Sequence, residues 1–230
     1  MTGTDSTVQG TVMPMDLFEA LSTTRSVRRF TDEPISDADI MTCIRAATQG
    51  PSGGNIQPWQ FLVVKEAATR RALGDVYRRA YDRYEPALLH ARPPARTPED
   101  EASFQRMRAA SRHLAEHLGE APALVLVLMP NISMTLADAE GPLDVGTPFA
   151  SVYPAVQNLM LAARGLGIGT TLTTVYRVYQ DEARKVCGIP ERYEIVALLP
   201  MGRPVRPFRV GRRRPAEQLT HWDRFGAKRG

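Results

Sequence analysis

Near the start of the chain, "RSVRRF" (Arg25 to Phe30) places Arg25, Ser26, Arg28 and Arg29 together, three guanidinium groups and a hydroxyl within five residues. A guanidinium fork matches two oxygens of a phosphate or carboxylate at once, so this spacing suits anion binding. Taken alone, a solvated basic turn explains the segment more simply. "GPSGGNIQPWQFLVV", Gly50 to Val64, sets turn-formers beside Ser52, Asn55 and Gln57 just before an apolar run. Plain turn chemistry accounts for Pro51, Gly53, Gly54 and Pro58. The same composition would also present backbone amides and short polar groups to a ligand. A third cluster, "RRRP" with Arg212 and Arg213, reads in isolation as a solvated charge run. A fourth, "GLGIGTTLTT" from Gly165 to Thr174, imitates a nucleotide-binding glycine loop. There the helix precedes the glycines, whereas a dinucleotide fingerprint needs strand, loop, then helix. A helix C-cap leading into a Thr-lined turn is the reading that fits.

Bulk properties restrict the chemistry further. The 230 residues, 43% apolar and 23% charged, match an ordinary globular protein with enough material for one sizeable core. The formal charge of +4 is concentrated in the C-terminal "RPVRPFRVGRRR". Cys43 and Cys187 lack C-x-x-C spacing, which predicts reduced thiols in a cytoplasmic protein. The 4 His are scattered without paired ligand spacing, so no metal site is expected. No apolar run approaches the roughly 20 residues of a membrane span, and the N-terminus lacks the pattern of a signal peptide. Residues 1–14 read as a disordered lead-in and 15–230 as a single domain.

Periodicity supplies the elements that must hold these clusters. A short helix ends near Thr23, and "SDADIMTCIRAAT" gives a second, capped by Ser36. "WQFLVVK", "ALVLVLM" and "EIVALLPMG" read as buried strands. Ala67 to His90 predicts a helix with Leu73, Val76, Tyr77, Ala80 and Tyr84 along one stripe, and Phe104, Met107, Leu114 and Leu118 mark another. "ARPPARTPED" must be a loop between them. Pro148 to Gly165 reads as one long apolar helix, with Pro154 in its first turns or kinking it, and "DEARKVCGIP" as a short one. Three strands among five or six helices give an α+β domain.

Together and in this order, "RSVRRF", "PSGGNIQPWQFLVV", the apolar helix before "GLGIGTT", and "PMGRP" followed by a basic segment resemble the nitroreductase family of flavoproteins, from about Met15 to Trp222. The resemblance implies a central, mostly antiparallel sheet flanked by helices, and a homodimer binding one FMN at each end of its interface. It also implies a C-terminal extension, 203–230, that wraps the partner subunit. Carried over residue by residue, Arg25, Ser26 and Arg28 match positions that hold the FMN phosphate and ribityl chain. Ser52, Gly53 and Asn55 match the loop that reaches the flavin, often from the neighbouring subunit. Thr170, Thr171 and Leu172 match backbone amides near the isoalloxazine ring, and Arg213, with Arg212 as near alternative, a C-terminal phosphate ligand. Thr24 departs from the many relatives with a second Arg there, leaving Arg29 to compensate.

The activity implied is hydride transfer from NADPH or NADH through the flavin to a nitroaromatic or quinone. Residues 77–118 match the pattern least. They are expected to form a variable helical lid, with Arg106, Arg108 and Arg112 facing NADPH; two surface helices packed on the core are the plainer alternative. Different rivals remain at this point: an FMN-storing or redox-sensing protein, a dehalogenase or flavin-destroying relative, and a nucleic-acid binder. The last is disfavoured because no aromatic residues interleave the arginines.

Overall fold

The two longest apolar runs decide the architecture. In the computed structural model, which describes residues 15–131 and 136–229, they become β2 (Ala123–Pro130) and β6 (Tyr193–Gly202). These two strands pair antiparallel at the centre of a sheet whose order is β1-β2-β6-β5. β1 (Gln60–Val64) flanks β2, and the two-residue β5 (Gly169–Thr170) flanks the end of β6. All three pairings are antiparallel. The expected α+β arrangement, with a mostly antiparallel sheet flanked by helices, is the observed one, with β5 a fourth strand that periodicity missed. The proposed lead-in, 1–14, lies outside the described residues.

Both faces of the sheet are covered, so its central strands are apolar apart from the start of β6 at Tyr193 and Glu194. Because successive side chains alternate, Ala123, Val125, Val127 and Met129 point to one layer and Leu124, Leu126 and Leu128 to the other. The first layer is α2 (Asp37–Ala47) and α5 (Tyr153–Gly165), which bury Ile40, Cys43, Val156 and Leu159 there. The second is built from α3 (Ala67–Ala91), α4 (Pro98–His117) and α6 (Gln180–Val186), through Leu73, Val76, Leu114 and Ala183. Alternation slips once. A bulge opposite Val127 and Leu128 leaves Val196 unpaired, so Val196 and Ala197 both join the first layer.

Local signals set the helix ends. The Ser36 hydroxyl accepts from the Asp39 N–H at 3.0 Å, and the Thr97 hydroxyl from the Asp100 N–H at 3.1 Å. The expected single helix from 148 to 165 is corrected: a 3₁₀ turn covers Pro148–Ser151, and α5 starts at Tyr153. Pro154 lacks an N–H and therefore sits in the first turn of α5 instead of kinking a longer helix. α3, by contrast, runs through Pro86, on an exposed side of the helix. Sequence periodicity also missed the hairpin of β3 (Leu136–Asp138) and β4 (Gly141–Leu143), and the short α7 (Ala216–Leu219). The first helix, α1 (Leu17–Thr23), ends where expected.

The arginine-rich segment is pinned to the end of this sheet. The Val27 N–H donates to the Thr170 carbonyl at 2.9 Å, and the Thr31 N–H to the Arg203 carbonyl at 2.9 Å. The Val205 N–H returns a bond to the Arg29 carbonyl at 3.2 Å. Such close approach requires bare backbone at two sites. A Cβ on Gly169 would sit 2.8 Å from the Val27 side chain, and one on Gly202 would sit 2.7 Å from Phe30. As far as Gly211, the chain beyond Arg203 packs on its own subunit. The Arg164 guanidinium lies 4.2 Å from the centre of the Phe208 ring, and the Gly211 N–H reaches the Ser22 carbonyl at 3.2 Å.

Gly169→Ala and Gly202→Ala are each expected to cost about 1–3 kcal/mol, the usual cost of overpacking. Gly165→Ala, whose added methyl meets nothing within 4 Å, serves as control and is expected to stay near wild type. Urea unfolding at one fixed protein concentration checks this. Equal midpoints for all three variants would mean that the segment is not held by these contacts.

Candidate functional site

One cavity of about 340 Å³ opens between α3, α4 and the Thr171–Val175 segment, with Arg28 in its wall. The sheet fixes the floor. Thr173 bonds Leu198 through both backbone groups, N–H to carbonyl at 3.0 Å and carbonyl to N–H at 3.1 Å. The Tyr77 and Thr173 hydroxyls are 2.8 Å apart and share a hydrogen bond. Burial raises the Tyr77 phenol above its ordinary pKa, the Thr173 bond and the nearby Arg28 charge opposing it. Burial also raises Tyr81, with the Glu85 carboxylate adding to it, to about 12. Both phenols are therefore neutral donors at physiological pH.

Arg28 is the unusual group. Its guanidinium is partly desolvated, which lowers its pKa. Arg28 makes no ion pair or side-chain hydrogen bond with any described residue. An arginine stays protonated in proteins. Arg28 is thus a partly buried cation, unpaired among the described residues, beside polar Thr171 and aromatic side chains, an arrangement able to accept an anion.

Arg28, Thr171 and Leu172 are the sequence-predicted residues that line this cavity. Arg25 and Ser26 precede Val27 in the pinned segment, Ser26 bridging Thr170. The Arg29 guanidinium donates to the His113 Nδ1 at 3.0 Å. Burial, then the Arg29 charge, lowers the His113 pKa, which keeps the ring neutral and able to accept. Ser52, Gly53 and Asn55 lie elsewhere, against the start of α5. The Gly53 N–H donates to the Ser151 hydroxyl at 3.1 Å, and the Ser52 hydroxyl accepts from the Gln57 N–H at 3.1 Å. Backbone φ is positive at Gly54, Asn55 and Gln57, so this loop holds a left-handed conformation outside the cavity. Arg212 and Arg213 are exposed, the Arg213 guanidinium turning back to the Arg212 carbonyl at 3.1 Å. Within one chain the twelve-residue set is split into separate groups.

Periodicity missed the carboxylate behind the cavity wall. Glu85, 6% exposed, accepts from the Arg108 Nε at 2.9 Å and from the Arg112 guanidinium, which also bonds Asp82 at 2.5 Å. Burial acts to raise the Glu85 pKa, but the Arg112 and Arg108 hydrogen bonds outweigh it and the net shift is downward. Of the arginines expected to face NADPH, Arg112 is tied to α3 and Arg108 is tied there through Nε while still lining the cavity, so α3 and α4 are joined through Glu85. Phe104, Met107 and Tyr84, assigned to apolar stripes, line the cavity instead of filling the core. A helical period identifies an apolar face without saying whether protein or a void lies against it. Tyr81 and Glu85 one turn apart on α3 were the available signal.

A family model described as the nitroreductase family matches residues 21–203 of this chain. The NADH dehydrogenase of Thermus thermophilus is 23% identical over 229 residues, 94% of this chain and 100% of the relative. The 5,6-dimethylbenzimidazole synthase of Rhodospirillum rubrum is 30% identical over 183 residues, 78% of each. Among solved structures, oxidized iodotyrosine deiodinase bound to FMN and 3-iodo-L-tyrosine superimposes with a TM-score of 0.70 at 24% identity, covering 91% of this chain and 100% of that one. Among the described residues, no helix is long and apolar enough to cross a membrane.

Glu85→Gln is expected to lower stability at pH 7 by about 1.5–3 kcal/mol, the range for a charge-assisted hydrogen bond. Since the native pKa is depressed, the wild-type advantage should be complete above about pH 5 and shrink as pH falls through the native value. Urea midpoints of both proteins from neutral pH downward give the comparison. A gap that is absent at pH 7, or that widens in acid, contradicts the ion-paired state of Glu85.

Proposed function

This chain belongs to the nitroreductase family of flavin oxidoreductases, and we propose that it binds FMN and reduces an electron-poor acceptor, such as a nitroaromatic or quinone, with NADPH or NADH. The observation that carries this reading is Arg28, an unpaired and partly buried cation at the edge of an aromatic cavity. The residues present fit the cofactor. Arg28, with Arg25 and Ser26 in the same pinned segment, would hold the phosphate and ribityl chain. The backbone of Thr170, Thr171 and Leu172 would face the ring. When bound, FMN supplies a two-electron carrier between nicotinamide and acceptor.

The protein's share of the chemistry is placement and electrostatics. Tyr77 and Thr173 fix the cavity floor, and the neutral phenols leave its positive charge undiminished. For a nitro group the first two-electron step balances as ArNO₂ + NADPH + H⁺ → ArNO + NADP⁺ + H₂O. No side chain of the cavity is assigned as the proton donor, and water suffices.

A second copy of the chain would complete the site. Ser52, Gly53 and Asn55 are presented on a loop outside this subunit's cavity, and Arg212 and Arg213 are exposed at the base of the C-terminal extension. Leu17, Phe18 and Leu21 on α1 are exposed at 61%, 75% and 48%, an apolar surface of the kind two subunits cover. We read these as the homodimer contacts, with the extension reaching the partner.

The purified protein is expected to be yellow, dimeric at micromolar concentration, and bleached anaerobically by NADPH or NADH. Yellow protein that no nicotinamide bleaches favours storage; reduction without turnover of any nitro compound or quinone favours a dehalogenase or flavin-destroying activity. Arg28→Ala and Arg213→Ala should each weaken FMN retention about 10- to 150-fold, matching about 1.5–3 kcal/mol for a charged hydrogen bond. Unchanged FMN affinity in either variant would remove that residue from the phosphate site.

A further inference from the structure

Arg108 has a charge that its own partners do not use up. Glu85 receives both Arg108 and Arg112, and Arg112 is shared with Asp82. Counting Arg28, three guanidinium groups stand against the Glu85 and Asp82 carboxylates, and Asp82 is also approached by Arg78 at 3.9 Å. Arg112 lies on the outer side of this clamp, its guanidinium 4.7 Å from the Tyr81 ring centre, and is not part of the cavity lining. Arg108 is part of it. Its Nε is spent on Glu85, while its two Nη groups bond no described residue. A guanidinium oriented through one nitrogen, with two donors left over, is prepared to bind a second anion.

The surroundings indicate what carries that anion. Tyr84, Phe104 and Met107 stand beside Arg108 in the wall, so the part of the cavity that α3 and α4 line offers aromatic and apolar surface to the ring of an acceptor. The adenosine half of a dinucleotide would extend beyond it. We propose that Arg108 is a specificity-determining residue that selects aromatic acceptors bearing an anionic substituent, a carboxylate being the simplest case. The inference rests on the oxidoreductase reading above and names the substrate class of that site. Glu85 is a positioning residue here: it sets the direction of the Arg108 fork without touching the acceptor.

Two acceptors of nearly equal shape test this, 4-nitrobenzoate and 4-nitrobenzamide. The oxidised, FMN-loaded protein is titrated with each, following the flavin absorbance to obtain Kd, and steady-state KM is measured in parallel. The benzoate is expected to bind about 10-fold or more tightly, as a charge-assisted bond warrants. In Arg108→Met that ratio should fall toward one, and Arg108→Lys should restore part of it. The preference should also weaken with added salt, since Arg108 is partly exposed. Equal wild-type affinities, or a ratio that survives Arg108→Met, overturns the proposal while leaving the oxidoreductase reading intact. A collapse of NADPH preference over NADH in Arg108→Met, with the acceptor ratio unchanged, would assign the residue to a nucleotide phosphate and equally overturns it. A protein that takes up no FMN, or that no nicotinamide bleaches, defeats the underlying reading and this inference with it.

Discussion

The site depends on how closely the arginine-rich segment can approach the end of the sheet. Hydrogen bonds from Val27 to Thr170 and from Thr31 to Arg203 lay the segment along β5 and the end of β6. They form only because Gly169 and Gly202 leave room for Val27 and Phe30. That approach fixes the backbone from which Arg28 projects. A long, flexible cation would otherwise remain in water, where desolvation costs nothing and a ligand must supply all the ordering. Here the scaffold has already ordered the backbone.

Arg28 and Glu85 show two solutions to one problem, a charge moved out of water. Glu85 is nearly inaccessible, and two guanidiniums keep it ionised despite that burial. Arg28 keeps partial exposure and has no such partner among the described residues. The first arrangement is structurally complete and holds α3 to α4. The second leaves a cation without a partner among the described residues, which suits it to take up an anion. The helix pair 77–118 thereby serves two purposes. Leu118, just past the end of α4, closes the core, and Leu114 belongs to both core and cavity wall, while Phe104 and Met107 on α4 face the void.

Much of the fold was legible along the chain because its causes are local. Alternation within "ALVLVLM" and the wholly apolar "IVALLPM" reflect a sheet covered on both faces, and Ser36 capped the helix its position announced. The bulge at Val196, the two-residue β5 and the hairpin at 136–143 were not legible. Each depends on what a neighbouring strand does, and none carries enough residues to set up a period.

For the site, the sequence alone determined the chemical inventory: clustered arginines, a turn of small polar residues, a Thr-rich segment after a helix. Their order along the chain also carried the family resemblance. Only the tertiary structure decided how these parts are shared out. It brought Arg28 to Thr171 and Leu172, sent Arg29 to His113, and left Ser52, Asn55 and Arg213 outside the cavity. It also tied Arg108 and Arg112 to Glu85, residues 23 and 27 positions away along the chain. Residue type sets what a side chain can do, and that is local. Which charge is neutralised and which is left free depends on contacts between distant segments, and those exist only once the chain has folded.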